Sequence, residues 1–342
     1  MLRGENAGNL DGKDIWWFTL KNGATTVRIT NIGCVITSIH TADREGREAN
    51  IVAGFDNPME YTCNPWYFGC IVGRVVNRIG GGLFYLDGQA VRLPTNNGGN
   101  HLHGGFEGFH KKIWDVKGTI DQAAEAAVVF ECISPDGDEG YPGCLHVQVK
   151  YTLSVENKLY LSYTATTDKR TPVNLANHSY FNLSGFSSRK ILDHQLMVDA
   201  KDYTEKDVQN LPTGRILSVA GTPLDLSASV RIGDRIPQLM ADNGFDHNYV
   251  LNGKAPAAVL HDPASGRVLR VSTDQPGIQV YTANWWDGTL KGVHDQPYLQ
   301  HGALALETQA FPDSPNHPAF PDTILSPGEI YRANTVFEFD IQ

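Results

Sequence analysis

The sequence predicts an all-β protein folded as a large antiparallel β-sandwich. Three observations support this prediction: period-2 alternation of apolar and polar residues dominates the chain, helical periodicity is scarce, and glycine and proline recur throughout. Strands separated by turn-rich loops, without regular intervening helices, favour a β-sandwich over a fold in which strands and helices alternate.

The clearest alternation lies in two neighbouring segments. Apolar residues occupy every second position in residues 147–155 and again in residues 159–165, on either side of a polar turn at 156–158. This pattern predicts an antiparallel hairpin with one buried face. Residues 337–341 alternate in the same way. Shorter runs of strand-forming residues are found at 26–30, 35–39, 128–133, 278–282 and 303–308.

The pattern predicts a short helix only within residues 230–242. No low-complexity linker and no clean internal repeat divides the chain, so we expect a single domain over residues 1–342. A site in such a domain is assembled from distant segments on neighbouring strands and loops.

Charge and cysteine content narrow the functional classes. A formal net charge of -10 without a cluster of Lys and Arg argues against nucleic-acid binding, which needs a positive surface. Five irregularly spaced cysteines, with no Cys-x-x-Cys pair, predict free thiols in a reducing cytoplasm. Residues 1–13 lack an apolar core and no apolar run reaches membrane-spanning length, so we expect neither a secretory signal nor a membrane segment.

Two early stretches place polar side chains among apolar ones. Arg74, Asn77 and Arg78 are flanked by apolar residues, although this pattern alone is more typical of a strand edge with solvated arginines. His101 and His103 lie two positions apart, so on a strand they project from the same face. They are candidates for a metal pair or for hydrogen-bond donors to a ligand, and a polar turn is an equal alternative.

Later stretches contain candidate acids and bases. Residues 172–183 are rich in asparagine, a poor strand former, and His178 within them is a candidate general acid or a satisfied core histidine. Asp246 lies in a turn from which it can accept hydrogen bonds from vicinal sugar hydroxyls, although turn formation alone explains an aspartate there. Glu307 lies in an apolar strand, and a buried carboxylate has a raised pKa suited to a base.

Taken together, these stretches closely resemble the aldose 1-epimerase, or galactose mutarotase, family. The matching blocks occur in the family's order and span most of the chain. They are Gly73-Arg74 with Asn77-Arg78-Ile79, Leu102-His103-Gly104-Gly105, Asp138-Glu139-Gly140-Tyr141-Pro142-Gly143, Asn177-His178-Ser179-Tyr180-Phe181-Asn182-Leu183, Gly244-Phe245-Asp246-His247, Gln275-Pro276-Gly277 with Gln279, Leu306-Glu307-Thr308-Gln309, and Leu325-Ser326-Pro327-Gly328-Glu329.

The resemblance implies a β-sandwich with a sugar cleft, no metal and no cofactor. The implied reaction interconverts the α and β anomers of aldoses such as glucose or galactose by ring opening and reclosure, with His178 as general acid and Glu307 as general base. The expected partner is a small aldose, and the protein is expected to be a monomer or a homodimer. The residues implied to surround the sugar are Asn77, Arg78, His103, Asp246 and Gln279.

Two other functional classes stay open on the sequence. His101, His103 and Glu107 form a His-x-His-x-x-x-Glu string, which suits a transition metal in a cupin, itself a β-sandwich. Thr95 and Trp114 stand where a cupin has glycines, which weakens this alternative. A non-catalytic sugar-binding module is the third class, and it leaves the intact acid–base pair unexplained. A hexose-phosphate epimerase is disfavoured, because no added basic cluster is present to hold a phosphate.

Overall fold

The computed structural model describes residues 1–342, with the side chain of residue 294 excepted. Three antiparallel sheets of five, nine and six strands form its body. The prediction of an all-β protein with large antiparallel sheets is therefore confirmed. The strands of the five-stranded sheet, in spatial order, are Leu2–Leu10, Lys13–Asn22, Thr25–Thr30, Ile36–Ala42 and Glu48–Asn50.

The two larger sheets contain most of the remaining chain. The nine-stranded sheet consists, in spatial order, of Asp115–Asp121, Glu125–Ser134, Leu145–Ser154, Lys158–Thr167, Tyr331–Ile341, Arg267–Thr273, Ala258–His261, Gln195–Val198 and Val230–Arg231. The six-stranded sheet consists of Tyr180–Phe181, Leu304–Gln309, Gly277–Tyr281, Asp246–Leu251, Ala200–Lys206 and Pro212–Ser218.

Short two-stranded ladders and single helical turns connect these sheets. The ladders pair Arg78–Ile79 with His101–Leu102, Ile71–Val72 with Ala176–Asn177, Thr171–Pro172 with Ile324–Leu325, Leu83–Leu86 with Gln89–Arg92, and Asp287–Lys291 with Pro297–Leu299. The helical turns are Pro58–Cys63, Gly80–Gly82, Asp138–Gly140, Ile232–Arg235, Ile236–Gln238, Val293–Asp295 and Ser314–Asn316.

The three sheets share a hydrophobic core, because their strands turn alternate residues inward. Phe18 of the five-stranded sheet, Val149 of the nine-stranded sheet and Leu306 of the six-stranded sheet belong to one cluster of buried side chains. Each large apolar side chain that is buried in this way contributes about 1.5–3 kcal/mol to folding. The same alternation leaves the other face of each strand free for polar side chains.

The predicted hairpin is present as strands Leu145–Ser154 and Lys158–Thr167. The five shorter runs also lie largely within strands. Residues 230–242 differ from the prediction, because they hold the end strand Val230–Arg231, a four-residue α-helix and a 3-10 turn. Gly233 and Pro237 are the two poorest helix formers, which explains why the helix ends after one turn.

The five cysteines are free thiols, as the sequence predicted. Among the described residues, none of the helices has the length and apolar character that crossing a bilayer requires.

Candidate active site

Three neighbouring strands of the six-stranded sheet carry the first part of the site. Gln279 pairs with Asn248 on one side and with Glu307 on the other, so these three side chains share one face of the sheet. Asp246 is the first residue of the strand Asp246–Leu251 and not a turn residue, which corrects the sequence prediction. It lies two residues before Asn248 and therefore on the same face. The alternate residues, such as Leu306, point into the core. The sheet thus separates an apolar packing face from a polar face that carries the site.

His178 lies beside this polar face, between the short strands Ala176–Asn177 and Tyr180–Phe181. Its backbone N–H donates to the carbonyl of Cys70 at 2.9 Å, and its carbonyl accepts from the Gly69 N–H at 3.0 Å. These two bonds fix the backbone of the histidine. Its Nε2 lies 3.5 Å from Oε1 of Glu307, and the two side chains are only 4% and 3% exposed.

The His178–Glu307 pair retains unused hydrogen-bonding capacity. Among the described residues, neither Nδ1 of His178 nor Oε2 of Glu307 has a hydrogen-bond partner, although both atoms are buried. An unpaired buried polar atom costs about 1–3 kcal/mol. A ligand that offers polar groups at this position recovers part of that cost, so the pair is suited to contact a bound molecule.

Burial opposes charge on both members of this pair. Burial, reinforced by the negative charge of Asp246 and opposed by Arg78, raises the pKa of Glu307 to about 8. Burial lowers the pKa of His178 to about 4. Between pH about 4 and pH about 8 the pair binds one proton in total, and burial alone favours the neutral arrangement with that proton on Glu307.

A second group of residues faces the pair from the loop side. The N–H of His103 donates to the carbonyl of Asn77 at 3.0 Å, and the N–H of Asn77 donates to Nδ1 of His103 at 3.2 Å. This contact assigns the proton of neutral His103 to Nε2. The side-chain Oδ1 of Asn77 accepts from the N–H of Arg78 at 2.9 Å, which orients the arginine beside it.

The glycine after His103 is needed for this loop to close. A Cβ on Gly104 would lie 1.7 Å from the carbonyl oxygen of Gly73, and its φ of +88° is in the left-handed region. His103 and Asn77 also have positive φ angles of 51° and 63°. The loop therefore adopts a strained conformation that places both side chains toward one point, which is common at functional sites.

All seven residues that the sequence analysis selected line one cleft of about 310 Å³. Gln279 Nε2 donates to Asp246 Oδ1 at 2.6 Å, which joins these two side chains in its wall. The seven residues are Asn77, Arg78, His103, His178, Asp246, Gln279 and Glu307. Residues that the sequence analysis missed also line the cleft, among them Trp66, Tyr67, Asn97, Tyr180, Tyr281 and Trp285.

Tyr67 is the most central of the missed residues. Its ring centroid lies 4.7 Å from that of His103 and 5.9 Å from that of His178, with the second pair stacked. Its position in a loop bounded by Asn64 and Gly69 gave no periodic signal in the sequence. Two consecutive aromatic residues, Trp66 and Tyr67, in such a turn-rich loop are the sign that could have identified it.

Arg74 is a structural residue, which corrects the expectation of a solvated arginine. Its side chain is buried at 2% exposure. The guanidinium donates to the carbonyls of Ser134, Pro135 and Pro142 at 2.8–3.0 Å and to the hydroxyls of Ser134 and Thr171. It therefore anchors the chain next to the cleft without entering it.

The expectation that His101 and His103 share a strand face is wrong. The strand ends at Leu102, because His103 turns away with a positive φ angle. His101 instead bonds through Nδ1 to the Pro94 carbonyl and through Nε2 to the Tyr141 hydroxyl, each at 2.8 Å. Since both nitrogens of His101 are occupied, it is a satisfied core histidine.

The cupin alternative is also wrong. Glu107 is exposed on the surface and forms an ion pair with Lys111. The His-x-His-x-x-x-Glu string therefore does not converge on one point.

The asparagines around His178 have structural roles. Asn182 donates to the carbonyls of Ser188 and Gly302, and Asn177 donates to the carbonyl of Gly69.

One group of side chains in the cleft has the composition of a metal site. His103, His178 and Glu307 each offer one ligand atom, and these atoms lie within 4.8 Å of one another. His103 fits this role poorly, because its bond from Asn77 leaves the proton on Nε2, and a metal ligand must be deprotonated. Hydrogen bonding to an oxygen-rich ligand fits the donor pattern of these three residues better.

The fold and the cleft define the class of this protein. It is an antiparallel β-sandwich protein in which a buried histidine–glutamate pair opens onto a cleft lined by amide, guanidinium and carboxylate groups. Such groups suit a polyhydroxylated ligand, whose hydroxyls both donate and accept hydrogen bonds. A buried acid–base pair that faces such a ligand is suited to proton transfer.

Comparisons with known proteins identify the family. The aldose 1-epimerase family model matches residues 17–338. The chain is 45% identical over 327 residues to galactose mutarotase of Bos taurus, covering 95% of this chain and 94% of the relative. It is 35% identical over 343 residues to aldose 1-epimerase of Escherichia coli (strain K12), covering 96% of each. This chain belongs to the aldose 1-epimerase family.

A solved structure agrees with this assignment. The crystal structure of galactose 1-epimerase from Lactobacillus acidophilus NCFM superimposes with a TM-score of 0.88 and 29% sequence identity, covering 100% of this chain and 99% of that chain. The resemblance inferred from the ordered sequence blocks is therefore confirmed.

Proposed function

We propose that this protein is an isomerase that interconverts the α and β anomers of aldoses such as galactose and glucose. The observation that supports this proposal most directly is the buried His178–Glu307 pair, whose Nε2 and Oε1 atoms lie 3.5 Å apart in a sugar-sized polar cleft. Its relatives named galactose mutarotase and aldose 1-epimerase support the same activity and an aldose as the substrate.

The proposed mechanism opens and recloses the cyclic hemiacetal. Glu307 removes the proton of the anomeric hydroxyl while His178 donates a proton to the ring oxygen, so the bond between the ring oxygen and the anomeric carbon breaks. The resulting aldehyde rotates about its bond to the neighbouring carbon. Ring closure on the other face returns both protons, with the roles of the two residues reversed. No proton is gained or lost over the cycle.

Reversal of roles requires that the proton can reside on either residue at similar free energy. The pKa values of about 8 for Glu307 and about 4 for His178 differ by about four units, which corresponds to about 5 kcal/mol in favour of the neutral pair. Opposite charges 3.5 Å apart attract by about 5 kcal/mol at an effective dielectric constant of 20. The electrostatic attraction therefore offsets the free energy that favours the neutral pair. This balance supports a pair in which the proton can move from either residue to the other.

The remaining cleft residues are proposed to hold the sugar. Asp246 and Gln279, joined by a 2.6 Å hydrogen bond, form an acceptor–donor edge for neighbouring hydroxyls. On the opposite side, Arg78 and the Nε2–H of His103 donate toward the oxygens on which negative charge develops. Asn77 positions both of these donors through its backbone and its side chain.

Polarimetry of freshly dissolved α-D-galactose and α-D-glucose tests the proposal. The protein is expected to accelerate the change in optical rotation in proportion to its concentration, above the spontaneous rate. A matched Glu307→Gln variant is the control, because it keeps the shape of the cleft but cannot accept the proton. A folded wild-type protein that binds galactose without accelerating mutarotation would instead be a non-catalytic sugar-binding module.

We also propose a cytoplasmic location, which the five free cysteines support. A single catalytic domain over residues 1–342 is supported by the core cluster, which draws on residues from Phe18 to Phe339. The proposed partner is a small aldose, without nucleic acid or membrane, and the protein is proposed to work as a monomer or a homodimer.

A further inference from the structure

A second cavity lies against the five-stranded sheet, and it shares no lining residue with the candidate active site. Its volume is about 480 Å³, compared with about 310 Å³ for the active-site cleft. Trp17, Arg28, Ser38 and His40 line it from three neighbouring strands of the sheet. We call it the Arg28 cavity. Its size is sufficient for a small metabolite.

The strand register brings the polar groups of the Arg28 cavity together. Arg28 pairs directly with Ser38, so their side chains leave the same face of the sheet. His40, two residues after Ser38, lies on that face as well. The intervening residues Val27 and Ile39 are buried in the hydrophobic core. The polar side chains therefore lie on the face of the sheet opposite the core.

The guanidinium of Arg28 is held in place without a carboxylate. Its central carbon lies 3.7 Å from the centroid of the Trp17 ring. Among the described residues, no acidic side chain forms an ion pair with Arg28. Stacking uses the flat face of a guanidinium and leaves its N–H edge available for a carboxylate or a phosphate group.

Ser38 provides a second, independent indication of a binding site. It is 9% exposed, lines the Arg28 cavity, and its hydroxyl has no hydrogen-bond partner among the described residues. Buried hydroxyls are normally paired, and leaving one unpaired costs about 1–3 kcal/mol. A group that accepts hydrogen bonds from both Ser38 and Arg28 would satisfy the hydroxyl and neutralise the cation at once.

The rest of the Arg28 cavity combines apolar side chains with exposed charged ones. Phe55 and Tyr298 are buried in its wall, and Phe186 is half-buried there. The charged residues Glu48, Asp56 and Arg189 also line it, but all three are exposed to solvent. Because water and salt screen exposed charges, the half-buried Arg28 determines the preferred charge of a ligand inside.

We propose that the Arg28 cavity is a second ligand site, which binds a small organic anion. Its carboxylate or phosphate group accepts hydrogen bonds from Arg28 and Ser38, and its apolar body packs against Phe55 and Phe186. This site is separate from the proposed sugar cleft, and its occupation does not depend on mutarotase activity.

Isothermal titration calorimetry with simple probes tests this proposal. Benzoate and phenyl phosphate present the two head groups on the same ring, and benzyl alcohol is the neutral control. At least one of the two anions is expected to bind saturably with a dissociation constant below about 10 mM, and more tightly than benzyl alcohol. The tighter of the two anions identifies the preferred head group. Saturating D-galactose is expected to leave this binding unchanged.

Variants connect the binding to the named residues. Arg28→Gln is expected to weaken anion binding at least about tenfold, because it removes a charge-assisted hydrogen bond. Arg3→Gln is the matched control, since Arg3 is an exposed arginine of the same sheet that pairs with Glu5. Ser38→Ala is a milder second variant that keeps the charge of Arg28. Both cavity variants are expected to retain wild-type mutarotation.

Several outcomes would overturn the proposal. These are no saturable binding of either anion, binding of benzyl alcohol as tight as that of the anions, or competition by D-galactose, which would place the anion in the sugar cleft. Equal losses in Arg28→Gln and Arg3→Gln would show a general charge effect. If Arg28→Gln does not fold, unchanged anion affinity in Ser38→Ala decides against the site.

Discussion

The expected pH dependence of the reaction follows from the burial of the proposed catalytic pair, His178 and Glu307. Between pH about 4 and pH about 8 the pair carries one proton, which serves as the acid while the other residue serves as the base. Above pH about 8 Glu307 has lost that proton and no acid is left. Below pH about 4 His178 has gained a second proton and no base is left. We therefore expect a broad plateau of kcat/KM with a limb on each side.

The size of the effect follows from single titrations on each limb. Each limb falls about tenfold per pH unit, so kcat/KM at pH 9.5 is expected to be about 30-fold below the plateau. The two limbs report apparent pKa values of the pair as a unit. Polarimetry of α-D-galactose at several buffer concentrations, extrapolated to zero buffer, separates the enzymatic rate from general catalysis by the buffer.

Variants of two neighbouring charged residues test whether Glu307 is the group that titrates on the alkaline limb. Since the negative charge of Asp246 raises the pKa of Glu307, Asp246→Asn is expected to move the alkaline limb to lower pH. Arg78 acts in the opposite direction, so Arg78→Gln moves that limb to higher pH. An alkaline limb that stays in place in both variants, or that persists in Glu307→Gln, would show that Glu307 is not the titrating group.

Four further outcomes are expected. Glu307→Gln and His178→Asn should each lower kcat, measured by polarimetry, about 10²–10⁴-fold. Because both residues are proposed to act in one step, the folded double variant should lose less than the product of the two single losses. Asp246→Asn should weaken sugar binding by about 1.5–3 kcal/mol, seen in steady-state kinetics mainly as a higher KM; a fall in kcat alone contradicts this role. Prolonged chelation should leave activity unchanged, whereas loss that one metal restores would overturn the metal-free mechanism. Arg74→Ala should lower the free energy of unfolding by at least about 2 kcal/mol in urea titrations, since it leaves three backbone carbonyls, the buried one of Ser134 among them, without their donor.

The fold class could be predicted because strand periodicity is a local property of the chain. The alternation in residues 147–155 and 159–165 predicted a hairpin that the structure contains, since each strand buries every second side chain. The helix predicted in residues 230–242 is shorter than expected, because Gly233 and Pro237 limit it locally to one turn. Strand order and sheet pairing were not accessible, because partners such as Lys158–Thr167 and Tyr331–Ile341 are far apart in sequence.

The candidate site was predictable where a residue stood out from its surroundings. Glu307 in an apolar strand and His178 among asparagines attracted attention for that reason, and the ordered blocks connected them to a family. Tyr67 was missed because an aromatic residue in a loop is compatible with many roles. Arg74 and Arg78 look alike in the sequence, yet one is buried under three carbonyls and the other borders the cleft.

Local periodicity in the amino-acid sequence predicted the all-β class. The ordered sequence blocks gave the resemblance to the family, and that resemblance implies the proposed acid and base. What those side chains can do depends on the tertiary structure. It separated His101 from His103 by a single positive φ angle. It also placed Arg28 beside Ser38, whose hydroxyl has no hydrogen-bond partner among the described residues, in the wall of a second cavity. It also brought His178 within 3.5 Å of Glu307 and moved their pKa values in opposite directions. Burial and distance arise from contacts between segments remote in sequence, and they set the free energies on which proton transfer depends.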